Sequence, residues 1–462
     1  MFTLPPSAQS IIDALRKAGF ECYGVGGSVR DLLMSRPTKG WDFTTNATPE
    51  QILAIFPDSF YDNQFGTVGV KIYETENGKR ETESPSDIYE ITTYRSETGY
   101  TDKRHPDKIT WGKTIEEDLS RRDFTINAIA YDGKTLIDPY DGQTDIENKI
   151  IRTVGGPNER FNEDALRIMR GVRIASQLGF LIDPSTANAI TSHAKNLLQI
   201  SGERIRDELL KILSSVFAAD GILLLKNTGI LAVILPELER TFSVGQKSPK
   251  RHHIYDVGTH LVESLRHAPT LDPIVRLATL IHDIGKPATY HKDEKTELIT
   301  FYNHEVVGVR LARDIANRLR LSKKQTDKIV TLVRWHQFSV DERQTDSALR
   351  RFIRRVTKEY LADMLALRIG DRLGGGALET SWRLELFKKR LEEVQKQPFT
   401  VTDLKIDGHD VMKEFDIKPG PIIGKVLNQL FAEVEENKLV NERETLLTRL
   451  QELQKLEEFK RI

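Results

Sequence analysis

Cysteine is almost missing from this sequence, with one residue, Cys22, in 462. A lone thiol closes no internal disulfide and builds no Cys-based zinc site, and it suits a reducing compartment, so the cytoplasm is the expected location. Long apolar runs are missing too. Nothing approaches the ~20 residues that span a bilayer, and the opening MFTLPPSAQS lacks a basic region followed by an apolar stretch. Neither a membrane partner nor a signal peptide is expected. Also absent is an excess of either charge, since 67 Lys and Arg face 68 Asp and Glu. The total therefore gives no sign of nucleic acid, and a polyanion would have to meet local basic patches. Four stretches qualify: RIMRGVR (167–173), SPKRHH (248–253), SKKQTDK (322–328) and RRFIRRVTK (350–358). Taken singly, each is more often a solvated helix face.

What is present is a soluble globular composition, 39% hydrophobic and 29% charged, long enough for two to four compact units. Residues 1–155 mix β-rich runs (FTLP, CYGVG, GTVGVKIY, YEITTYR, TLIDPY) with helical stretches such as PEQILAIF. From about 156 the strand signal nearly vanishes. EDALRIMRGVRIASQL and GERIRDELLKILSSVF carry apolar residues at helical spacing after polar starts. A break follows near FSVGQKSPKRHH, and a second helical block, about 253–375, holds most of the histidines. The tail, 400–462, has the turn IKPGPIIG and then a long Glu/Lys/Leu-rich helix. The expected architecture is α+β, with units at 1–155, 156–245, 246–375 and 376–462.

Chemistry concentrates first in GVGGSVRD and WDFTTNA. Glycines after a strand let backbone N–H groups approach phosphate oxygens, and the helix that follows offers its positive end. Arg30 adds a forked donor. Asp42, on the predicted strand WDFTT, supplies one carboxylate for a metal, and Glu90 in YEITTYR could supply another from a neighbouring strand. Strand alternation would put Gly40 and Asp42 on one face. EEDLSRRDFTINAIAYD contributes Arg121, Arg122, Asp123 and Asn127, polar groups suited to triphosphate and ribose hydroxyls. RFNEDALRIMRGVR places Asp164, Arg167, Arg170 and Arg173 three apart along one helical stripe. Such a stripe is usually surface salt bridging. A sharper possibility is base selection, because a carboxylate accepts from the exocyclic amine of C or A while Arg donates to the ring nitrogen. U and G present a carbonyl there and would leave the carboxylate unpaired.

GGSVRD, WDFTTNATPEQI, EEDLSRRDFTINAIAYD, DPYDGQ and RFNEDALRIMRGVR, in this order, resemble the class II tRNA nucleotidyltransferases, which comprise CCA-adding enzymes and bacterial poly(A) polymerases. The resemblance is specific over roughly the first 215 residues and implies a polymerase-β-like head. It implies that Gly27 and Arg30 contact the triphosphate, that Asp42 holds Mg2+, and that Arg122 and Asp123 meet phosphate or ribose. Asp164 and Arg167 would read the base edge, with Arg170 and Arg173 nearby. The family pattern has an acid two residues before Asp42, where this chain has Gly40. Magnesium keeps several waters and binds through few carboxylates plus substrate phosphates, so an active head is still expected.

In the histidine block, His260, His282 and Asp283, on predicted helices, and Asp371 match the H…HD…D pattern of the HD phosphohydrolase superfamily. His304 and His336 match less tightly, as outer residues or ligands of an extra metal. Imidazoles and carboxylates from separate helices can hold divalent ions that activate water, so a second divalent metal is a candidate cofactor. The tail KIDGHDVMKEFDIKPGPIIGKVLNQLFAEV looks like that of HD-containing CCA-adding enzymes and would grip tRNA through its backbone. The expected function is CCA addition to tRNA from CTP and ATP. Alternatives are poly(A) or A-only addition, an HD phosphohydrolase with an impaired head, and a tRNA-binding protein without turnover.

Overall fold

The computed structural model describes residues 2–456 apart from 39, 64–65, 74, 77–78, 81–84, 99–107, 247–254, 378–380, 396–400 and 437. The basic stretch 248–253 lies outside the described residues. Phe2–Pro5, expected as a strand, is not one. Pro6 instead opens helix α1 (Pro6–Lys17) at its first position, where a missing N–H costs nothing. α2 (Gly27–Leu33) and α3 (Pro49–Ile55) complete the helices beside the sheet.

That sheet has seven strands: β1 (Cys22–Val25), β2 (Asp42–Thr45), β3 (Ser59–Asn63), β4 (Thr67–Ile72), β5 (Asp87–Thr93), β6 (Ala130–Tyr131) and β7 (Leu136–Ile137). They lie in the order β7-β6-β1-β2-β5-β4-β3. Only β2 and β5 run parallel, and their register sets Asp42 beside Glu90. Alternation then sorts the two faces. Phe43, Val68, Val70, Tyr89 and Ile91, with Trp41, pack against Ile12 and Leu15 of α1 and Ile52 of α3. Asp42 and Glu90 occupy the opposite, open face and are exposed. The expectation that residue 40 shares this face fails. β2 begins only at Asp42, and Gly40 turns through φ +69°, its N–H donating to Asp87 Oδ2 at 3.2 Å.

α4 (Ile115–Ser120), capped by Thr114, leads out of the sheet to α5 (Pro157–Glu163), α6 (Leu166–Leu178) and α7 (Gly202–Leu213). Asp164 is not on the stripe expected for it. It sits in the break between α5 and α6 with φ −137° and ψ 107°, and its carboxylate accepts from the Leu166 N–H at 2.9 Å. Short polar side chains favour such positions because they bond locally to backbone. Arg167, Arg170 and Arg173 do follow one another on α6.

The histidine block is built on α8 (Val257–Arg266), α9 (Pro273–Ile281), α10 (His304–Arg318), α11 (Lys323–Trp335), α12 (Asp346–Val356) and α13 (Leu361–Gly374). One apolar core joins side chains from Phe161 to Val394, with members on both sides of the boundaries expected at 245/246 and 375/376. The tail has a core of its own. Its expected long helix is two, α14 (Pro421–Glu435) and α15 (Arg443–Gln454). Asn441 holds the chain between them by accepting from the Lys405 N–H and donating to the Asp403 carbonyl. Arg350 of α12, 1% exposed, ties the tail down by donating to the Glu435 carbonyl at 2.5 Å. No helix among the described residues is long and apolar enough to cross a membrane.

Candidate active site

Gly26 is the hinge of the first site. It precedes α2 with φ +75°, and a Cβ there would lie 3.4 Å from both Asp42 Oδ2 and Arg122 Nη1. A glycine thus lets backbone, carboxylate and guanidinium meet, at a backbone angle side chains resist. Arg122 is held from behind. Asp118, fully buried on α4, accepts from Arg122 Nη2 at 3.0 Å and from Arg121 Nη2 at 2.6 Å. Burial alone would raise the Asp118 carboxyl, but the two guanidiniums outweigh it and hold it below the usual range. Asp42 is the reverse case. Its carboxylate reaches solvent, yet the walls of the cleft desolvate it and push its pKa up, with Arg122 and Arg170 pulling it back only in part.

Arg30, Asn127, Asp123 and Arg170 form one connected run. Arg30 Nη1 donates to Asn127 Oδ1 at 2.9 Å, Asn127 Nδ2 to Asp123 Oδ1 at 3.2 Å, and Arg170 Nε to Asp123 Oδ2 at 2.7 Å. Asp123 is therefore engaged internally and places the donors around it. Beyond it, Arg167 donates to the Arg121 carbonyl at 3.0 Å and pairs with Glu163. Asp164 pairs with Arg204 at 3.1 Å, and Arg173 with Glu208 at 2.9 Å. Asp164 and Arg167 thus have separate partners that fix each side chain. The sequence reasoning missed Asp118, Glu163, Arg204 and Glu208. Asp118 was legible, since it lies three and four residues before two arginines; Arg204, forty residues from Asp164, left no local signal.

A second cluster lies in the helical block. His260 is on α8 and Asp371 on α13, but His282 ends α9 and Asp283 lies just past it, off the helix where both were expected. His304 and His336 are full members: the ligand atoms of His260, His282 and Asp283 lie within 4.8 Å of one another, as do those of Asp283, His304 and His336. Asp283 faces both groups, with Oδ2 3.4 Å from His282 Nε2 and Oδ1 3.1 Å from His304 Nε2. His282, His304 and His336 each set Nδ1 2.7 Å from the carbonyl three residues earlier. A carbonyl only accepts, so each Nδ1 carries the proton and each Nε2 turns a lone pair inward. His304 and His336 then oppose lone pairs across 3.3 Å, and buried His282 Nε2 has no hydrogen-bond partner. That donor set fits divalent cations. Burial disfavours a charged His282, but with no cation bound Asp283 and Asp371 overcome this and raise its pKa to about 10, so a metal gains the Nε2 lone pair by displacing a proton. A cleft of about 460 Å³ opens beside the cluster, where Lys286 lies 2.6 Å from Asp283 and Arg368 3.0 Å from Asp371.

A sheet carrying two carboxylates in register, beside arginines anchored on buried acids, defines a nucleotidyltransferase. Family matches agree: the poly A polymerase head domain covers residues 22–152, a probable RNA-binding site of polymerase A 179–242, and a putative tRNA nucleotidyltransferase domain 2 291–450. The CCA-adding enzyme of Geobacillus thermodenitrificans is 45% identical over 51% of this chain, an alignment that spans just over half (56%) of that relative. The CCA-adding enzyme of Streptococcus mutans is 33% identical over 95% of both chains. The crystal structure of the Bacillus stearothermophilus CCA-adding enzyme in complex with CTP is 30% identical, covers 97% of this chain and 98% of its own, and superposes with a TM-score of 0.72. The chain belongs to the class II tRNA nucleotidyltransferases, the family of the CCA-adding enzymes.

Proposed function

We propose that this protein adds C, C and A to the 3′ end of tRNA without a template, taking CTP and ATP, in the reducing cytoplasm that its single buried cysteine suits. The observation that carries the proposal is Asp42, in register with Glu90 and separated from Arg122 only by Gly26. The family depends on a divalent metal, and two adjacent carboxylates are an oxygen donor set suited to Mg2+. When bound there, the ion would activate the tRNA 3′-hydroxyl and steady the leaving pyrophosphate. Arg30 and Arg122, with the backbone at Gly26 and Gly27, would hold the triphosphate. The 3′ oxygen forms a bond to the α-phosphorus as the bond to pyrophosphate breaks. Asp164 and Arg167 would present acceptor and donor to the edge of C or A. We assign 1–155 to transfer, 156–245 to base reading and RNA binding, 246–375 to the histidine site, and 376–462 to gripping tRNA.

The test is incubation with tRNA lacking its CCA end and each labelled NTP singly. C incorporation from CTP, followed by A once C is in place, is expected. Incorporation of A alone would leave the poly(A) reading and remove this one. Asp164→Ala is expected to cut discrimination of CTP over UTP by ~10–100-fold, the worth of one good hydrogen-bonded pair at ~1–3 kcal/mol. Competition between the two labelled nucleotides measures it.

The opposed lone pairs of His304 and His336 favour a second activity on the same chain. We propose that His260, His282, Asp283, His304, His336 and Asp371 would hold divalent metal, with Asp283 a member of both groups of ligands, and that the metal would supply an activated water for phosphoester hydrolysis. Lys286 and Arg368 would then offset phosphate charge at the mouth of the cleft.

A further inference from the structure

We infer that Phe60 is the seat on which the 3′-terminal base of the tRNA stacks while it waits for the next nucleotide. The inference rests on the nucleotidyl-transfer reading of the head and adds where the acceptor strand lies. On the open face, register runs across the sheet from Asp42 to Glu90, from Glu90 to Gly69, and from Gly69 to Phe60. Strands lie about 4.8 Å apart, so Gly69 is one strand from Glu90 and Phe60 is on the edge strand beyond. The ring leans back toward the carboxylates. A Cβ on Gly69 would meet Phe60 Cζ at 2.6 Å and its two Cε atoms at 2.9 and 3.0 Å. Only glycine leaves that floor open, so the ring tip rests on the sheet beside Glu90. Phe60 nonetheless remains 38% exposed. Lys71, exposed two residues beyond Gly69 on the same face, supplies a cation within reach of a backbone phosphate.

Direction decides the occupant. Gly26 and Arg122 lie on the β1 side of Asp42, so the triphosphate and its leaving pyrophosphate belong there. Attacking and leaving oxygens lie roughly in line at the phosphorus. The 3′-hydroxyl must then come from the other side, over β5, β4 and β3, where the aromatic ring sits. A ring accepts any base, because every base has a π-face. That tolerance is what an end changing from the discriminator nucleotide to C and again to C requires.

Steady-state incorporation by the full chain tests this, with tRNA ending at the discriminator nucleotide and CTP varied independently. Phe60→Ala is expected to raise KM for tRNA about tenfold, within the range of one lost base–aromatic stack, with KM for CTP within twofold of wild type. Phe60→Trp is expected to keep the wild-type KM for tRNA. Gly69→Ala should raise that KM by displacing the ring, and should add nothing to Phe60→Ala. An unchanged KM for tRNA in Phe60→Ala, or equal rises for tRNA and CTP, overturns the seat while leaving CCA addition standing. A wild-type protein that incorporates no nucleotide overturns the function reading itself, and the seat with it.

Discussion

Asp42→Ala is expected to lower nucleotide incorporation at least about a thousandfold, equivalent to about 4 kcal/mol of transition-state stabilisation. The loss should be near complete because Gly40 supplies no second carboxylate from the same strand, leaving Glu90 to hold the ion alone. Single-turnover incorporation of labelled CTP measures it. Affinity for tRNA should survive, since Asp42 is an anion and adds nothing to phosphate binding. Incorporation within tenfold of wild type would remove Asp42 from the metal site. A pH consequence follows from the raised pKa of Asp42. The fold favours its protonated form, so the bare carboxylate is complete only at a higher pH than for an ordinary aspartate, near 3.9. In the metal-free protein the carboxylate should therefore become available to Mg2+ only above that value, which titration of Mg2+ binding against pH measures. By the same sign, the ionised group costs the fold stability at neutral pH, and Asp42→Asn should melt no lower than wild type.

Asp283→Ala is the second large effect. Both groups of ligands contain Asp283, so this one change should empty the cluster of metal rather than halve it. It also leaves Lys286 with Gln246 as a neutral partner, and stripping one member from a buried pair costs ~3–5 kcal/mol. Asp283→Asn keeps the volume and a hydrogen bond, and separates metal loss from that destabilisation. Metal content of purified protein, with melting temperature against added Mn2+ or Ni2+, reads the result. The expected outcome is no retained metal and no metal-dependent rise in melting, in both variants, with CCA incorporation changed only a few-fold. Metal retained at wild-type stoichiometry would sink the shared-ligand arrangement.

The sequence made the head legible where local rules suffice. β-rich runs bounded by turn residues were enough to put Asp42 on a strand and Glu90 on a neighbouring one. Helical spacing likewise placed the arginines of α6. Asp164 escaped that reasoning because a stripe three residues apart looks unbroken even where the chain leaves the helix for two residues. Gly40 escaped it because a left-handed φ is permitted to glycine and not announced by it. His304 and His336 were undervalued for another reason. Their ring orientations are set by carbonyls three residues back, a detail that no spacing pattern carries. The partners of Asp164 and Arg173 come from α7, about forty residues away, and only packing brings them close.

The core that joins Phe161 to Val394 has its own consequence. Side chains under α6 and under the histidine cluster belong to one continuous core, so heat or denaturant should dissolve both as one cooperative unit. A substitution deep beneath the histidines would then lower the fraction of molecules able to choose C over U, without touching a single group that meets the nucleotide. Two chemistries kept apart in space would be lost together, and a screen for defects in one would collect lesions in the other.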